Sequence, residues 1–516
     1  MRKVLHATSV KTRFLVSVAS NGIRGGIGLV SGLLVARGLN PSGYGDLMFL
    51  LGSFTAIRSL LDMGTSNAFY TFLSRHTQAR RFYLYYFAWL ALQFVITILF
   101  IGLIIPDSIF DRIWLNHSRK IVIAAFLAAF MQQQVWQTVA QIGESTRKTV
   151  KLQVMNLAIA ITYLAIVSFL LVTGDVSAGN ILFLIICQYV VATMLAYPLL
   201  KEANSLPVEK EDTFKQIVQE YWFYCKPLVA LSLVSFLYDF ADKWMLQRFG
   251  GSAQQGFFQI SNQISTVSLL ATSSILSVFW KEISNALARD DHARVALLYR
   301  KISRGLVMLG AIITGLLVPW SEQIVTISLG QMYLPAWPVL AIMLLYPIHQ
   351  SMGQIAGTMF FASGQTKKYM FVCIGIMLIF LPLSYLLLAP TKGVLIPGLG
   401  LGAIGIATKL VSLAIVSGNI QAWVVSRYSG WKFDWAYQVV GIPLMLGLGY
   451  IAKLLVGLLW NLEVLDVGKL IIPVILAAII YCISVVWMLW LFPWLIGIDR
   501  AEIMNSFEKL RRFSFI

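Results

Sequence analysis

A chain of 516 residues that is 58% hydrophobic and only 12% charged, with a mean hydropathy of +0.76, is not a soluble domain, since soluble domains carry about a quarter charged residues. Its formal net charge of +17 sits on no separate basic domain, which excludes a nucleic-acid-binding reading. Apolar stretches of roughly 17–25 residues, long enough to cross about 30 Å of hydrocarbon as helices, recur from Phe14 to Phe492 and lack the alternating polarity of barrel strands.

In chain order the expected spans are 14–36, 47–70, 82–105, 121–142, 152–173, 181–200, 227–249, 257–280, 305–320, 335–362, 369–389, 399–425, 436–460 and 470–492. The first exceeds a signal-peptide core and no small-residue cleavage site follows it, so it is expected to be retained as a helix. With the N-terminus inside, 28 of the 40 Lys and Arg residues fall in inner segments and 7 in outer ones, counting Arg248 at the outer end of span seven; the remaining five (Arg24, Arg58, Lys243, Lys409 and Lys453) lie deeper within spans. This positive-inside asymmetry places both termini in the cytoplasm. The outer segments are short, and the longest, 106–120, has no room for a folded domain. Inner segment 201–226 contains K-E-A-N-S-L-P-V-E-K-E-D and reads as a hinge between two halves, whereas 281–304 reads as a charged helical extension at the membrane surface.

The expected fold is an all-α polytopic membrane protein of about fourteen transmembrane helices. A six-helix lobe occupies 1–200, a cytoplasmic linker 201–226 and a second six-helix lobe 227–426; helices thirteen and fourteen and a cytoplasmic tail fill 427–516. An internal repeat supports two parallel halves. R-G-L-N-P-S-G-Y-G begins at Arg37 and R-F-G-G-S-A-Q-Q-G at Arg248; both the arginines and the closing glycines, Gly45 and Gly256, are offset by 211 residues. Six spans separate the copies, so both point the same way, as in transporters whose halves are related by an axis along the membrane normal.

Small residues cluster in span one (N-G-I-R-G-G-I-G-L-V-S-G) and span twelve (G-L-G-L-G-A-I-G-I-A), where they permit close helix packing. Gly400, Gly402 and Gly405 spell G-x-G-x-x-G, but no βαβ unit surrounds them, so no dinucleotide site is expected. Cys187, Cys225, Cys373 and Cys482 lie in or beside spans with no C-x-x-C spacing, so they read as packing residues with no metal site or disulfide.

Charges within spans carry the functional signal, because a charge at mid-bilayer costs about 2.5–3.5 kcal/mol on insertion scales and normally faces a cavity or a partner. Arg58 and Asp62, and Asp239 and Lys243, are each four residues apart, which places each pair on one helical face. Self-neutralisation within the helix is one reading, and a substrate cavity is the other. Asp242 adjoins the second pair. Arg24 has no acidic residue in its own span. Two guanidinium groups suit a phosphate-bearing head group, and Asp239 or Asp242 is placed to bind a coupling ion, H⁺ or Na⁺. The candidate cavity residues are therefore Arg24, Arg58, Asp62, Lys243 and Lys409. Glutamines of Q-Q-Q-V-W-Q-T-V-A-Q in span four, with Asn262 and Gln263, are candidates for sugar hydroxyls, although interhelical hydrogen bonding is their commoner use. Lys453 is expected to snorkel, and His349 to be a packed polar residue.

The segments G-L-V-S-G-L-L-V-A-R-G-L-N-P-S-G-Y-G, S-F-T-A-I-R-S-L-L-D-M-G and F-A-D-K-W-M-L-Q-R-F-G-G-S-A-Q-Q-G-F-F-Q-I-S-N-Q-I, with L-P-A-W-P-V-L-A-I-M-L and the glycine-rich span twelve, resemble bacterial polysaccharide transporters. These are the Wzx-type oligosaccharide flippases of the multidrug/oligosaccharidyl-lipid/polysaccharide (MOP) superfamily. The resemblance implies a V-shaped, two-lobed transporter in the bacterial inner membrane, not an enzyme, that works by alternating access. Its cargo would be an undecaprenyl-diphosphate-linked oligosaccharide for O-antigen, capsule or exopolysaccharide, supplied and consumed by glycosyltransferases and a polysaccharide polymerase. In the related lipid II flippases, arginines on the first two helices meet the diphosphate; Arg58 lies at a comparable place, Arg24 is in the right helix, and Asp242 matches a family acidic position more closely than Asp239. The competing readings are a drug/cation antiporter of the same fold, which mid-span arginines disfavour, and a membrane polysaccharide polymerase or ligase, which the short outer segments disfavour.

Overall fold

In lipid every backbone N–H and C=O must be satisfied within the segment itself, and a computed structural model of the chain answers that constraint with helices almost throughout. The structure describes residues 10–75, 78–204, 213–287, 289–460 and 469–497. They form two compact units, one of residues 1–260 and 377–406, the other of 261–376 and 407–516. These units cut across the sequence boundaries expected at 201–226 and 426–427. Residues 205–212 of the expected hinge and the tail from 498 onward lie outside the described residues.

The first unit opens with α1 (Val10–Asp62), which joins expected spans one and two and breaks at Asn40, where φ is 59° and ψ 171°. Pro41 follows and has no N–H to donate, while Asn40 Oδ1 accepts from the Gly43 N–H at 3.0 Å, capping the second segment. α2 (Thr65–Arg75) begins after a turn at Met63 and Gly64. α3 (Arg80–Leu99) ends in a π turn, Phe100–Ile104, before the short α4 (Asp107–Ile113). Arg119 ties this corner down, donating to the carbonyls of Ile101, Gly102 and Ile105 and pairing with Asp107 at 2.6 Å.

Expected span four is an interrupted helix. α5 (Arg119–Phe130) passes through a π turn at Met131–Val135 into α6 (Trp136–Ser145). α7 (Thr149–Thr173), α8 (Ala178–Leu195) and α9 (Tyr197–Asn204) complete the first half. α10 (Phe214–Met245) starts in a capping box formed by Thr213 and Gln216 and ends in a π turn, Leu246–Gly250. α11 (Ser252–Thr266) follows. Within this unit α1 packs chiefly on α7 and α10.

The second unit contains α12 (Leu269–Leu287), α13 (His292–Leu317), α14 (Ser321–Leu329), α15 (Trp337–Met343) and α16 (Tyr346–Ala362). α17 (Thr366–Leu388) and α18 (Gly402–Ser429) each divide between the units; α19 (Ala436–Gly457) and α20 (Ile471–Leu491) belong to the second. Met308, Ile348, Met352, Tyr437, Met445 and Tyr481 share one buried core here. α13 and α19 approach closely at Gly315 and Gly449, each of which would bury a Cβ in the other helix's backbone. Spans thirteen and fourteen, expected as an addition, are thus part of this core. Segment 281–304 is helical on both sides of a short turn: α12 runs to Leu287 and α13 starts at His292, so its charges flank that turn.

By length and composition, ten described helices are apolar enough to cross a membrane, or eleven when the bent pair Gln331–Met343 and Tyr346–Ala362 counts as one span. The expectation of fourteen exceeds this for physical reasons. Spans one and two are merged in α1, and spans four and eight fall on helices interrupted at Met131–Val135 and between Thr266 and Leu269.

Candidate substrate-binding site

The second segment of α1 presents Thr55, Arg58 and Asp62 on one helical face, at spacings of three and four residues. Arg58 is half-buried and makes no hydrogen bond or ion pair among the described residues. The expected Arg58–Asp62 pair does not form. Asp62 instead caps α2, accepting from the Thr65 hydroxyl at 3.0 Å, the Ser66 N–H at 2.9 Å and the Ser66 hydroxyl at 2.8 Å. Three neutral donors thus solvate that carboxylate, and no ion pair among the described residues engages the arginine. The Tyr86 hydroxyl is buried beside Thr138 and within electrostatic range of both Asp62 and Arg58. Tyr86 also forms part of the wall of an apolar groove of about 510 Å³ between α3 and α10, with Tyr85, Trp89, Leu92, Phe214 and Trp222.

Arg24, on the first segment of α1, is exposed and donates to Asn21 Oδ1 at 3.2 Å. It also lies within electrostatic range of Tyr189 on α8. The π turn at Met131–Val135 rotates the glutamine run so that Gln132 donates to the Tyr189 hydroxyl at 3.2 Å and Gln133 to Thr55 Oγ1 at 2.9 Å. Single π turns inside helices frequently mark functional sites. These glutamines tie helices together, the commoner of the two uses expected of them.

On α10 the three ionisable residues separate. Lys243 Nζ reaches the Asp239 carbonyl at 3.2 Å, and its aliphatic stem lies against Gly52 of α1. Asp239 is exposed, whereas Asp242 is 9% exposed and accepts from Ser384 Oγ at 2.7 Å. Both aspartates make further interactions. Lys409 departs from its expected place on an open cavity. It is 0% exposed and engaged with its surroundings. Lys453 does not snorkel but donates to the Pro319 carbonyl at 2.6 Å and Gln323 Oε1 at 3.2 Å, 5.0 Å from the Trp320 ring centre.

The two repeat motifs meet inside the first unit. A Cβ on Gly45 would collide with the Ser252 carbonyl, and one on Gly256 with the Pro41 carbonyl. Positions 41 and 252, like 45 and 256, are 211 apart, so the crossing is reciprocal, each copy's glycine receiving the other's backbone. Beside it Asp46 accepts from Ser252 Oγ at 2.6 Å and Gln247 Nε2 at 2.8 Å and pairs with His117 Nε2 at 3.3 Å. That hydrogen bond holds the His117 imidazole above its ordinary range.

The second unit holds a polar cavity of about 420 Å³ that sequence reasoning missed. Gln350, Gln354 and Thr358 form a stripe along α16, and Ser417 and Gln421 face it from α18. Trp280 and Phe361, stacked with ring centres 6.1 Å apart at 20°, also line it. The Gln421 Oε1 atom is buried without a partner. The signal was present as polar residues every four positions in Q-S-M-G-Q-I-A-G-T. His349 is buried and paired with Gln438 at 3.2 Å. Among the described residues no three His, Cys, Asp or Glu side chains are grouped to hold a metal ion.

Long apolar helices, enough of them to cross a membrane ten or eleven times, define a multi-pass membrane protein. Among solved structures, the chain is similar to a lipid II flippase MurJ in an inward closed conformation, at a TM-score of 0.66 and 14% identity over 92% of this chain and 98% of that one. It is also similar to a MOP-superfamily transporter from Pyrococcus furiosus whose binding pocket is described as of reverse polarity, at a TM-score of 0.56 and 14% identity over 81% and 96%. An outward-facing multidrug-resistance MATE transporter matches at a TM-score of 0.52 and 12% identity over 81% and 97%. No curated protein sequence matches. The model of the polysaccharide biosynthesis protein family matches residues 10–280, and the chain belongs to that family. By their titles these solved neighbours are a flippase and two transporters, and the likeness to them is one of fold.

Proposed function

We propose that this protein flips an undecaprenyl-diphosphate-linked oligosaccharide across the bacterial cytoplasmic membrane by alternating access, for O-antigen, capsule or exopolysaccharide synthesis. The observation that carries the reading is Arg58, half-buried, unpaired among the described residues, and within electrostatic range of Tyr86, which lines an apolar groove. A cation beside an apolar groove fits an amphiphile whose head carries phosphate and whose tail is hydrocarbon. Arg24 is assigned to the same head group. Asp242, the more buried of the two aspartates, is the preferred site for a coupling H⁺ or Na⁺, with Asp239 the other candidate; glycosyltransferases and a polymerase act before and after.

The test is deletion of the gene in a strain with no redundant transporter. The lipid-linked repeat unit should accumulate on the inner leaflet and surface polysaccharide should disappear. Normal outer-leaflet display, or a drug-sensitivity phenotype with intact polysaccharide, would replace this reading with that of a drug antiporter.

A further inference from the structure

Between the start of α13, the end of α18 and the loop into α19 lies a second cavity of the second unit, about 300 Å³ in volume. It belongs to the end of the unit that carries the charged turn between α12 and α13. Small-molecule sites begin at about this size. Ala293, Ala296, Leu297 and Phe433 give it apolar walls, and Arg300 and Lys432 stand on its lining.

Two features separate it from an ordinary packing defect. Its one lining carboxylate, Asp434, is already neutralised, because Arg304 Nε donates to Oδ2 at 2.6 Å and Nη2 to Oδ1 at 3.0 Å. Arg304 is held in place by the Tyr437 ring, 5.3 Å away, and by the Trp494 carbonyl. Arg300 stands 3.9 Å from the same carboxylate with its side chain 60% exposed, and Lys432 is exposed with no ion pair among the described residues. The site therefore has positive charge to spare. The second feature is Tyr299, 8% exposed, whose ring sits 5.7 Å from Trp431 and whose hydroxyl is buried with no hydrogen-bond partner. A buried hydroxyl without a partner costs on the order of 1–3 kcal/mol, a cost that a ligand acceptor removes.

We propose that this cavity binds a phosphate ester, the head group of an acidic phospholipid, with Arg300 and Lys432 on the phosphate, Tyr299 donating to it and the apolar wall taking the glycerol. This reading is independent of the cargo proposed above, since none of these residues belongs to the Arg58 site. Charge-assisted contacts to phosphate are about twice as strong as neutral ones, so the two cations should dominate affinity.

The experiment uses the full chain in phosphatidylcholine nanodiscs, with and without phosphatidylglycerol, and reads bound lipid by native mass spectrometry and thermal midpoint in parallel. Phosphatidylglycerol should be retained and should raise the midpoint. The Arg300→Gln/Lys432→Gln protein should bind at least about tenfold more weakly, and Tyr299→Phe about 2- to 10-fold more weakly. Arg300→Lys, which keeps the charge, should bind as the parent does and guards against a folding artefact. A second arm adds glycerol phosphate or inorganic phosphate to the phosphatidylcholine discs. A midpoint shift there that the double substitution abolishes identifies a soluble phosphate ester as the source instead of lipid. Equal phosphatidylglycerol retention by parent and double variant, with no response to soluble phosphate in either, overturns the proposal.

Discussion

Gly256→Ala places one methyl group against the Pro41 carbonyl, and Gly45→Ala places one against the Ser252 carbonyl. Backbone carbonyls do not rotate away as flexible side chains do. The segments must part by on the order of 1 Å to restore contact distances of about 3.5 Å. Overpacking of this kind costs about 1–3 kcal/mol, which shifts an equilibrium between closed and parted crossings by about 5- to 150-fold. Leu246, 1% exposed in the adjoining π turn, is a suitable reporter. Leu246→Cys, in a background lacking Cys187, Cys225, Cys373 and Cys482, should label with a membrane-impermeant maleimide faster by that factor in either glycine variant. Gly22→Ala on the same α1 helix, where an added Cβ meets nothing within 4 Å, should leave the rate unchanged. Parent-like labelling of both crossing variants at equal expression would refute the idea that the close backbone approach at Gly45 and Gly256 holds the crossing together.

The same reporter gives a pH test. His117 has its folded pKa raised by the hydrogen bond to Asp46, so its contribution is complete below the ordinary histidine value of about 6.5 and is lost as pH rises through the folded value. Relative to a solvent-exposed cysteine control, which carries the intrinsic rise in thiolate, labelling of Leu246→Cys should accelerate further toward alkaline pH, and His117→Asn should remove that excess. Arg304→Met leaves the part-buried Asp434 carboxylate without its bidentate partner and should destabilise the protein by about 1–3 kcal/mol, read as a lower thermal midpoint in detergent; adding Asp434→Leu should recover much of the loss. Lys453→Met removes donors to Pro319 and Gln323 and should lower the midpoint while leaving transport per folded molecule intact.

How far the sequence disclosed this molecule depends on the kind of signal. Apolar runs such as 152–173 map onto α7 almost residue for residue, because length and the absence of breakers set a span. The Gly45 and Gly256 repeat, two residues shared at one offset, is realised as a reciprocal contact that no periodicity analysis draws. Interruptions were invisible: Met131–Val135 is as helix-compatible as its neighbours, and the π turn arises from tertiary demands on Gln132 and Gln133. Spacing misled at Asp62, where four residues to Arg58 counted for less than three donors at the start of α2. Lys409 likewise reads as a cavity charge from its mid-span position, yet burial depends on helices far away in sequence. The α16 stripe was legible in principle, but its residues are dispersed among apolar neighbours and only α18 turns them into a cavity.

The central claim, that Arg58 and Arg24 grip a lipid-borne diphosphate, is tested most directly by reconstituting purified protein into liposomes that hold a fluorescent undecaprenyl-diphosphate oligosaccharide and measuring its arrival at the opposite leaflet. The account predicts movement by the parent, loss by at least about tenfold in Arg58→Ala or Arg24→Ala, as removing a charge-assisted contact worth about 1.5–3 kcal/mol requires, and none in Lys453→Met. Parent-like translocation by both arginine variants at equal incorporation would contradict it.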